Sequence, residues 1–135
     1  MGQTGQCLCG AVSYETTAEP LTTAICHCKN CQRQAGSVLS VIVGYPADGI
    51  TVKGTIKTYE DRGTTGQKVY RQFCPECGSP MFSDVENAPQ MRFIKAGTFD
   101  DTSWLEPQIQ FWSKSKQNWY DLGEAIPHVE DNPPG

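Results

Sequence analysis

The sequence has little positive charge and no long apolar run. It contains 11 lysines and arginines against 15 aspartates and glutamates, which gives a formal net charge of −4 at pH 7. Because binding to phosphates requires a clustered positive field, this balance argues against binding to nucleic acid or to an anionic membrane. No apolar stretch approaches the roughly 20 residues that cross a bilayer. Residues 1–10 also lack the charged and apolar regions of a signal peptide, so we expect a protein of the reducing cytoplasm.

Glycine and proline interrupt the apolar segments at short intervals. Between them lie short runs of β-branched and aromatic residues, with partial alternation, at residues 11–16, 38–44, 50–53, 55–59, 68–73, 91–96 and 109–112. A helical turn is predicted over residues 30–35, ended by Gly36, and another over 101–104, capped by Asp100. The sequence therefore predicts a mostly β fold with one or two short helical turns.

The length of 135 residues suits one domain. No linker, internal repeat or low-complexity segment divides the sequence. The end of the chain is polar and rich in proline, which is typical of a frayed terminus. We predict a single zinc-binding domain over residues 1–126, followed by a flexible C-terminal tail over residues 127–135.

All seven cysteines fall into three close-spaced motifs, which are Cys7-Leu8-Cys9, Cys26-His27-Cys28-Lys29-Asn30-Cys31 and Cys74-Pro75-Glu76-Cys77. In a reducing compartment, clustered cysteines are typical of metal or catalytic sites. Two cysteines separated by two residues in a tight turn can direct both sulfurs at one zinc ion. Pro75 and Gly78 favour such a turn, since proline fixes one φ angle and glycine permits a positive one.

Seven thiols divide naturally into four and three. A structural zinc takes four ligands, whereas a catalytic zinc commonly has three and an open position. We therefore predict a closed four-Cys cluster with a structural zinc, formed by Cys7, Cys9, Cys74 and Cys77. We predict an open three-Cys cluster with a labile zinc and the catalytic role, formed by Cys26, Cys28 and Cys31.

Three alternatives stay open. Disulfides would leave one thiol over, and neighbours such as Cys7 and Cys9 do not bridge easily. A dithiol redox pair at Cys28 and Cys31, or in the third motif, would lack a thioredoxin-like context. In the third alternative both clusters are structural, and His27 or another residue completes the second one. His128 is a poor candidate for this ligand because it lies in the predicted tail.

The ordered combination of these motifs resembles the glutathione-dependent formaldehyde-activating enzyme family. The resemblance runs from Cys7 to Trp119 and is carried by residues 7–12, 26–33, 36–37, 73–82, 96–101 and 107–119. It implies an Mss4-like fold of several small, coiled antiparallel β-sheets pinned by zinc, with the same four-plus-three division of cysteines. Gln110 stands where the last motif of the family commonly has histidine.

The resemblance also implies an activity. Members of this family are named for joining glutathione and formaldehyde into S-hydroxymethylglutathione, which is a carbon–sulfur lyase reaction in reverse. Because glutathione is anionic, we predict contacts from Lys29 and Arg33, with Gln32 and Ser37 as hydrogen-bonding residues. The alternative is a non-catalytic zinc-binding module that binds glutathione or a protein partner.

Overall fold

The computed structural model describes residues 2–63, 65–121 and 126–131, and the chain is mostly β, as predicted. Ten strands and one α-helix form in these ranges. The helix, α1, spans Lys29–Ala35. The strands are β1 (Thr4–Gln6), β2 (Ser13–Thr16), β3 (Thr22–Cys26), β4 (Ser40–Pro46), β5 (Ile50–Lys53), β6 (Lys57–Arg62), β7 (Lys68–Phe73), β8 (Pro80–Val85), β9 (Met91–Lys95) and β10 (Ile109–Phe111). No helix in the described ranges has the length and apolar character needed to span a membrane.

The strands form two sheets. The small sheet has the order β1-β2-β5, and the large sheet has the order β10-β3-β4-β9-β8-β7-β6. All neighbouring strands are antiparallel except β10, which pairs with β3 in parallel. This pair differs from the predicted all-antiparallel arrangement. Residues 96–108 connect β9 to β10, and a connection of this length allows the chain to return parallel to an earlier strand.

The hydrophobic core lies between the two sheets. Tyr14 of the small sheet packs edge-on against Phe82 of the large sheet, with 5.5 Å between the ring centroids, and against Phe99 at 5.6 Å. Val12 and Ile94 are fully buried in the same cluster. Burying side chains of this size contributes about 1.5–3 kcal/mol each, so this contact is the main apolar connection between the sheets.

The other face of the large sheet carries polar residues, and α1 packs beside it against β4. In the strand register Cys26 lies opposite Ser40, and Lys95 lies opposite Ile42. Directly opposed residues, and residues two apart on a strand, share a face of the sheet. Cys26, Ser40 and Lys95 therefore lie on one face, opposite to that of the core residue Val43.

The ends of α1 follow from its sequence. Cys28 caps the N-terminus, since its Sγ accepts a hydrogen bond from the backbone N–H of Cys31 at 3.2 Å. Gly36 ends the helix in the left-handed region, with φ of 68°, and its N–H donates to the carbonyl of Gln32 at 2.9 Å. The predicted helical turn over residues 30–35 is confirmed, and it begins one residue earlier than expected.

The second predicted helical turn, over residues 101–104, is not helical. The Asp101 carboxylate accepts hydrogen bonds from the backbone N–H and the hydroxyl of Ser103, at 2.9 and 2.7 Å. Asp100 does not cap a helix, because its carboxylate accepts from the Thr4 hydroxyl at 2.6 Å. Local side-chain hydrogen bonds thus replace those of a helix. The described chain has 3₁₀ turns elsewhere, at Ala47–Gly49, Ala96–Thr98 and Ser113–Ser115.

Residues 127–131 run beside β10. The backbone N–H of Gln110 donates to the carbonyl of Pro127 at 2.9 Å, and that of Val129 donates to the carbonyl of Gln110 at 2.9 Å. Lys114 and Asp131 form an ion pair. The described part of the predicted tail is therefore hydrogen-bonded to the sheet edge. Residues 132–135 lie outside the described residues, and the domain boundary after residue 126 stays a prediction.

Candidate metal centres

The four-Cys cluster forms where two distant turns meet. Cys7 and Cys9 lie in the loop after β1, and Cys74 and Cys77 lie in the turn between β7 and β8. The Cys9 Sγ lies 3.7 Å from the Cys7 Sγ and 3.8 Å from the Cys74 Sγ. All four sulfurs lie within 4.8 Å of one another. Sulfurs held at about 2.3 Å around a tetrahedral zinc ion would be about 3.8 Å apart, so the spacing and the all-thiol donor set fit zinc.

Backbone N–H groups surround the sulfurs of this cluster. Val12 N–H donates to the Cys7 Sγ at 3.3 Å, and Glu76 N–H donates to the Cys74 Sγ at 3.3 Å. Gly78 has φ of 80°, which lets its N–H reach the carbonyl of Cys74 at 2.9 Å. Such donors favour the thiolate form of cysteine, which is the form that binds metal. The backbone around these cysteines therefore directs N–H groups at the sulfurs.

The three-Cys cluster forms at a strand-to-helix junction. Cys26 is the last residue of β3, Cys28 caps α1, and Cys31 lies in the first turn of that helix. The three sulfurs lie within 4.8 Å of one another. The structure thus brings the cysteines together in the two groups that the spacing predicts. In the described ranges no histidine, carboxylate or further cysteine joins this cluster as a fourth donor.

His27 does not complete the three-Cys cluster, which contradicts that form of the all-structural alternative. Its ring is fully buried and its Nε2 forms a hydrogen bond with the Oε1 of Gln110 at 2.8 Å. Gln110, which stands where the family motif commonly has histidine, therefore supports the loop between Cys26 and Cys28. His128 forms a β-bridge with Gln110 and is not part of either cluster.

Two buried cations that the sequence analysis does not include lie beside the three-Cys cluster. Arg71 on β7 and Lys95 on β9 are each 7% exposed. The pKa of Cys31 is held well below its usual value, first by the thiols of Cys26 and Cys28 and then by the positive charges of Arg71 and Lys95. The positive charge near the three sulfurs is therefore greater than residues 26–31 alone would give. The burial of Lys95 could have been predicted from the sequence, because Lys95 alternates with the apolar residues Met91 and Phe93 and so lies on the same face of the strand.

The four residues predicted to contact glutathione differ from one another in their exposure. Lys29, Arg33 and Ser37 are exposed on or just after α1. Gln32 is buried, and its Nε2 donates to the backbone carbonyl of His27 at 2.8 Å. Gln32 therefore holds the loop of the three-Cys cluster from within. Whether these residues contact glutathione stays a prediction.

A cleft of about 450 Å³ opens between α1 and the strands β6 and β7. The lining residues are Asn30, Arg33, Gln34, Tyr59, Asp61, Arg71, Phe73 and Gly78. Arg71 connects the cleft to the three-Cys cluster, because it lines the cleft and its positive charge lowers the pKa of Cys31. The Oε1 of Gln34 is buried and has no hydrogen-bond partner among the described residues. The cleft therefore has two arginines and an unused acceptor beside the thiols.

Residues 2–115 match the protein family described as Glutathione-dependent formaldehyde-activating enzyme. The chain belongs to this family. The match includes all seven cysteines of the two clusters and both buried cations. Membership confirms the resemblance that the cysteine motifs carry.

Curated relatives are distant. A Podospora anserina protein named "Putative glutathione-dependent formaldehyde-activating enzyme" is 28% identical over 118 residues, which is 80% of this chain and 53% of the relative. A similarly named protein of Talaromyces marneffei is 28% identical over 111 residues, and 57% of its length is covered. The chain thus spans about half the length of these relatives. An uncharacterized lyase of Schizosaccharomyces pombe is 25% identical, with 87% of this chain and 83% of that protein covered.

A solved structure shares the fold. The crystal structure of a Rhodobacter sphaeroides protein superimposes with a TM-score of 0.59 at 22% identity. The match covers 93% of this chain and 99% of that one. The likeness in fold therefore extends over nearly the whole chain.

Proposed function

We propose that this protein is a zinc-dependent enzyme of the carbon–sulfur lyase type that acts on adducts of glutathione and formaldehyde. The observation that carries the proposal is the three-Cys cluster, which has three sulfur donors, no fourth donor from the described chain and a cleft beside it. The names of the family and of its curated relatives support glutathione and formaldehyde as the substrates. The four-Cys cluster has the structural role in this proposal.

Cys26, Cys28 and Cys31 are the residues that would hold the labile zinc ion. When bound, zinc would supply an open coordination position at which a thiol loses its proton. An ordinary thiol has a pKa of about 8.5 and is mostly protonated at neutral pH, so this deprotonation supplies the nucleophile. The surrounding residues leave this position without a protein donor, because His27 Nε2 bonds to Gln110 and Gln32 Nε2 bonds to the backbone carbonyl of His27.

The reaction needs no oxidant or reductant. The sulfur of glutathione, as thiolate, attacks the carbonyl carbon of formaldehyde, and a carbon–sulfur bond forms as the carbonyl π bond breaks. The oxygen takes one proton from solvent, which replaces the proton that the thiol released. In the reverse direction the same steps cleave the carbon–sulfur bond.

The cleft supplies the contacts for the rest of glutathione in this proposal. Arg33 and Arg71 line it and can pair with carboxylates. Lys29 and Ser37, exposed at the two ends of α1, extend the polar surface. Gln32 contributes indirectly by holding the carbonyl of His27. The proposal includes a reducing, cytoplasmic setting, because the seven cysteines are unpaired. It includes no nucleic-acid or membrane partner.

The variant Cys28→Ser tests this proposal in the zinc-loaded protein. Serine keeps the helix cap, since its hydroxyl is a preferred N-cap group, but it is a poor zinc ligand beside thiolates. We expect the rate of adduct formation, measured by NMR with labelled formaldehyde, to fall by at least about a hundredfold. Calorimetry should show loss of glutathione binding, while the melting temperature changes little. A wild-type protein that holds two zinc ions and binds no glutathione would contradict the proposal.

The second candidate function is a non-catalytic zinc-binding module for glutathione or a protein partner. The observation in its favour is Leu8, which is 85% exposed at the tip of the loop between Cys7 and Cys9. An exposed apolar side chain in the loop of the four-Cys cluster can contact a partner. Glutathione binding without turnover in the assay above, or binding of a protein partner that Leu8→Ser abolishes, would favour this candidate.

A further inference from the structure

Lys95 lies unusually deep for a lysine. It ends β9 and is 7% exposed, and its Nζ donates a hydrogen bond to the Ser40 hydroxyl at 2.7 Å. Ser40 lies directly opposite Cys26 in the register of β3 and β4. Directly opposed side chains have Cβ atoms about 4.5–5.5 Å apart. The ammonium group is therefore separated from the Cys26 thiol by one small side chain.

No carboxylate of the described chain forms an ion pair with Lys95. A buried ammonium without an anion nearby is strongly unfavourable. Burial lowers the pKa of Lys95, the charge of Cys31 acts in the opposite direction, the charge of Arg71 lowers the pKa further, and Cys26 and Cys28 raise it. The anion that faces this lysine is thus the three-Cys cluster itself.

Arg71, the second buried cation, differs from Lys95 in its partner. Its Nε donates to the Asp61 carboxylate at 2.8 Å, and both side chains are largely buried. This ion pair offsets part of the arginine charge, which still acts on Cys31 together with that of Lys95. Within the described ranges the Lys95 ammonium donates to the neutral Ser40 hydroxyl and forms no ion pair with a carboxylate, so no carboxylate offsets its charge.

We infer that Lys95 is a specificity-determining residue that makes the three-Cys site select an anionic fourth ligand, a thiolate, over a neutral one. This inference rests on the proposed function in that it takes the cluster to be an open metal site. Three thiolates and a divalent cation carry one net negative charge, which disfavours a further anion. One buried positive charge on the same sheet face offsets this repulsion. It does nothing comparable for a neutral ligand such as imidazole.

A purely structural role for Lys95 predicts a different result. The hydrogen bond to Ser40 connects β9 to β4, and losing it would loosen the sheet under the cluster. Such loosening would weaken the binding of neutral and anionic ligands alike. The ratio of the two affinities therefore separates the electrostatic role from the structural one.

The test uses the full chain loaded with Co²⁺, whose thiolate absorption bands report ligand exchange at an open site. The protein is titrated at one pH with 2-mercaptoethanol, whose thiol is its only ionisable group, and with imidazole. In Lys95→Met we expect the Kd for the thiol to rise at least about tenfold, the effect of removing one charge near a partly buried anion. The Kd for imidazole should change less than about twofold. Lys53→Met, an exposed lysine of the small sheet, is the matched control and should change neither.

A second variant keeps the inference testable if Lys95→Met does not fold. Ser40→Ala removes the hydrogen bond and keeps the charge, so we expect it to retain the preference for thiolate. Equal weakening of both ligands in Lys95→Met, or loss of the preference in Ser40→Ala, would overturn the inference. The probe contains no carboxylate or peptide, so thiolate preference with 2-mercaptoethanol and no binding of glutathione would defeat the proposed function alone.

Discussion

The two cysteine clusters present the same donor atom in different structural settings. The four-Cys cluster connects the loop after β1 to the turn after β7, so that Cys9 and Cys74 meet across 65 positions of sequence. The three-Cys cluster lies within one strand-to-helix junction, between Cys26 and Cys31. A bound ion that connects distant segments restricts the unfolded chain much more than one that connects neighbours. On this ground we propose the stabilising role for the first cluster and the chemical role for the second.

The two clusters also differ in the groups that surround their sulfurs. The sulfurs of Cys7 and Cys74 are buried and accept backbone N–H groups, which belong to the turns themselves. In the three-Cys cluster the Cys28 Sγ also accepts a backbone N–H, and the cluster in addition faces the charged side chains of Arg71 and Lys95, which lie on other strands. Backbone donors fix a geometry, whereas charged side chains can select what binds there. This difference supports the inference that the second cluster discriminates among ligands.

The largest effect is expected from Cys74→Ser. In the proposed arrangement this variant removes a buried zinc ligand from the connection between the sheets, and a structural zinc site contributes about 10–16 kcal/mol of apparent binding free energy. We expect the zinc-saturated melting temperature, followed by circular dichroism, to fall by at least about 15 °C. The same substitution at Cys28 should lower it by less than about 5 °C. Equal falls in melting temperature in the two variants would contradict the claim that the two clusters contribute differently to stability.

A smaller effect is expected from two glycine variants that sharpen the comparison. Gly36 and Gly78 have φ of 68° and 80°, and a Cβ atom at either would meet no atom within 4 Å. Alanine at each position therefore adds backbone strain alone, about 1 kcal/mol. Gly78→Ala should reduce retention of the ion in the four-Cys cluster against a chelator. Gly36→Ala should leave that retention unchanged and weaken thiol binding at the three-Cys cluster. The reverse pattern would contradict the assignment.

Local sequence predicts much of this architecture. The strands over residues 50–53 and 68–73 have the predicted bounds, and Gly36 ends the helix where expected. The division of the cysteines also follows from spacing, because sulfurs two or three positions apart in a turn must lie close together. These features depend on a few neighbouring residues and on φ angles that glycine and proline restrict.

Apart from the four-Cys cluster, features that depend on distant segments were not predictable from the sequence. β3 is not predicted because four of its five residues are buried, so that no alternation marks it. β1 has three residues, one of them glycine, and β8 begins at a proline after the cysteine turn. The positions of Arg71 and Lys95 depend on the register of five strands, which no local pattern contains. The candidate ligands could therefore be predicted, and the charges beside them could not.

The most direct test of the central claim is the number of zinc ions per chain during gradual chelation, measured by native mass spectrometry alongside circular dichroism. We expect two ions per chain at saturation and a plateau at one ion in which the β signal is unchanged. In Cys28→Ser the plateau at one ion should be present from the start, with the fold intact. Loss of both ions together with unfolding, or a folded chain with no zinc, would contradict the division into a structural cluster and an open one.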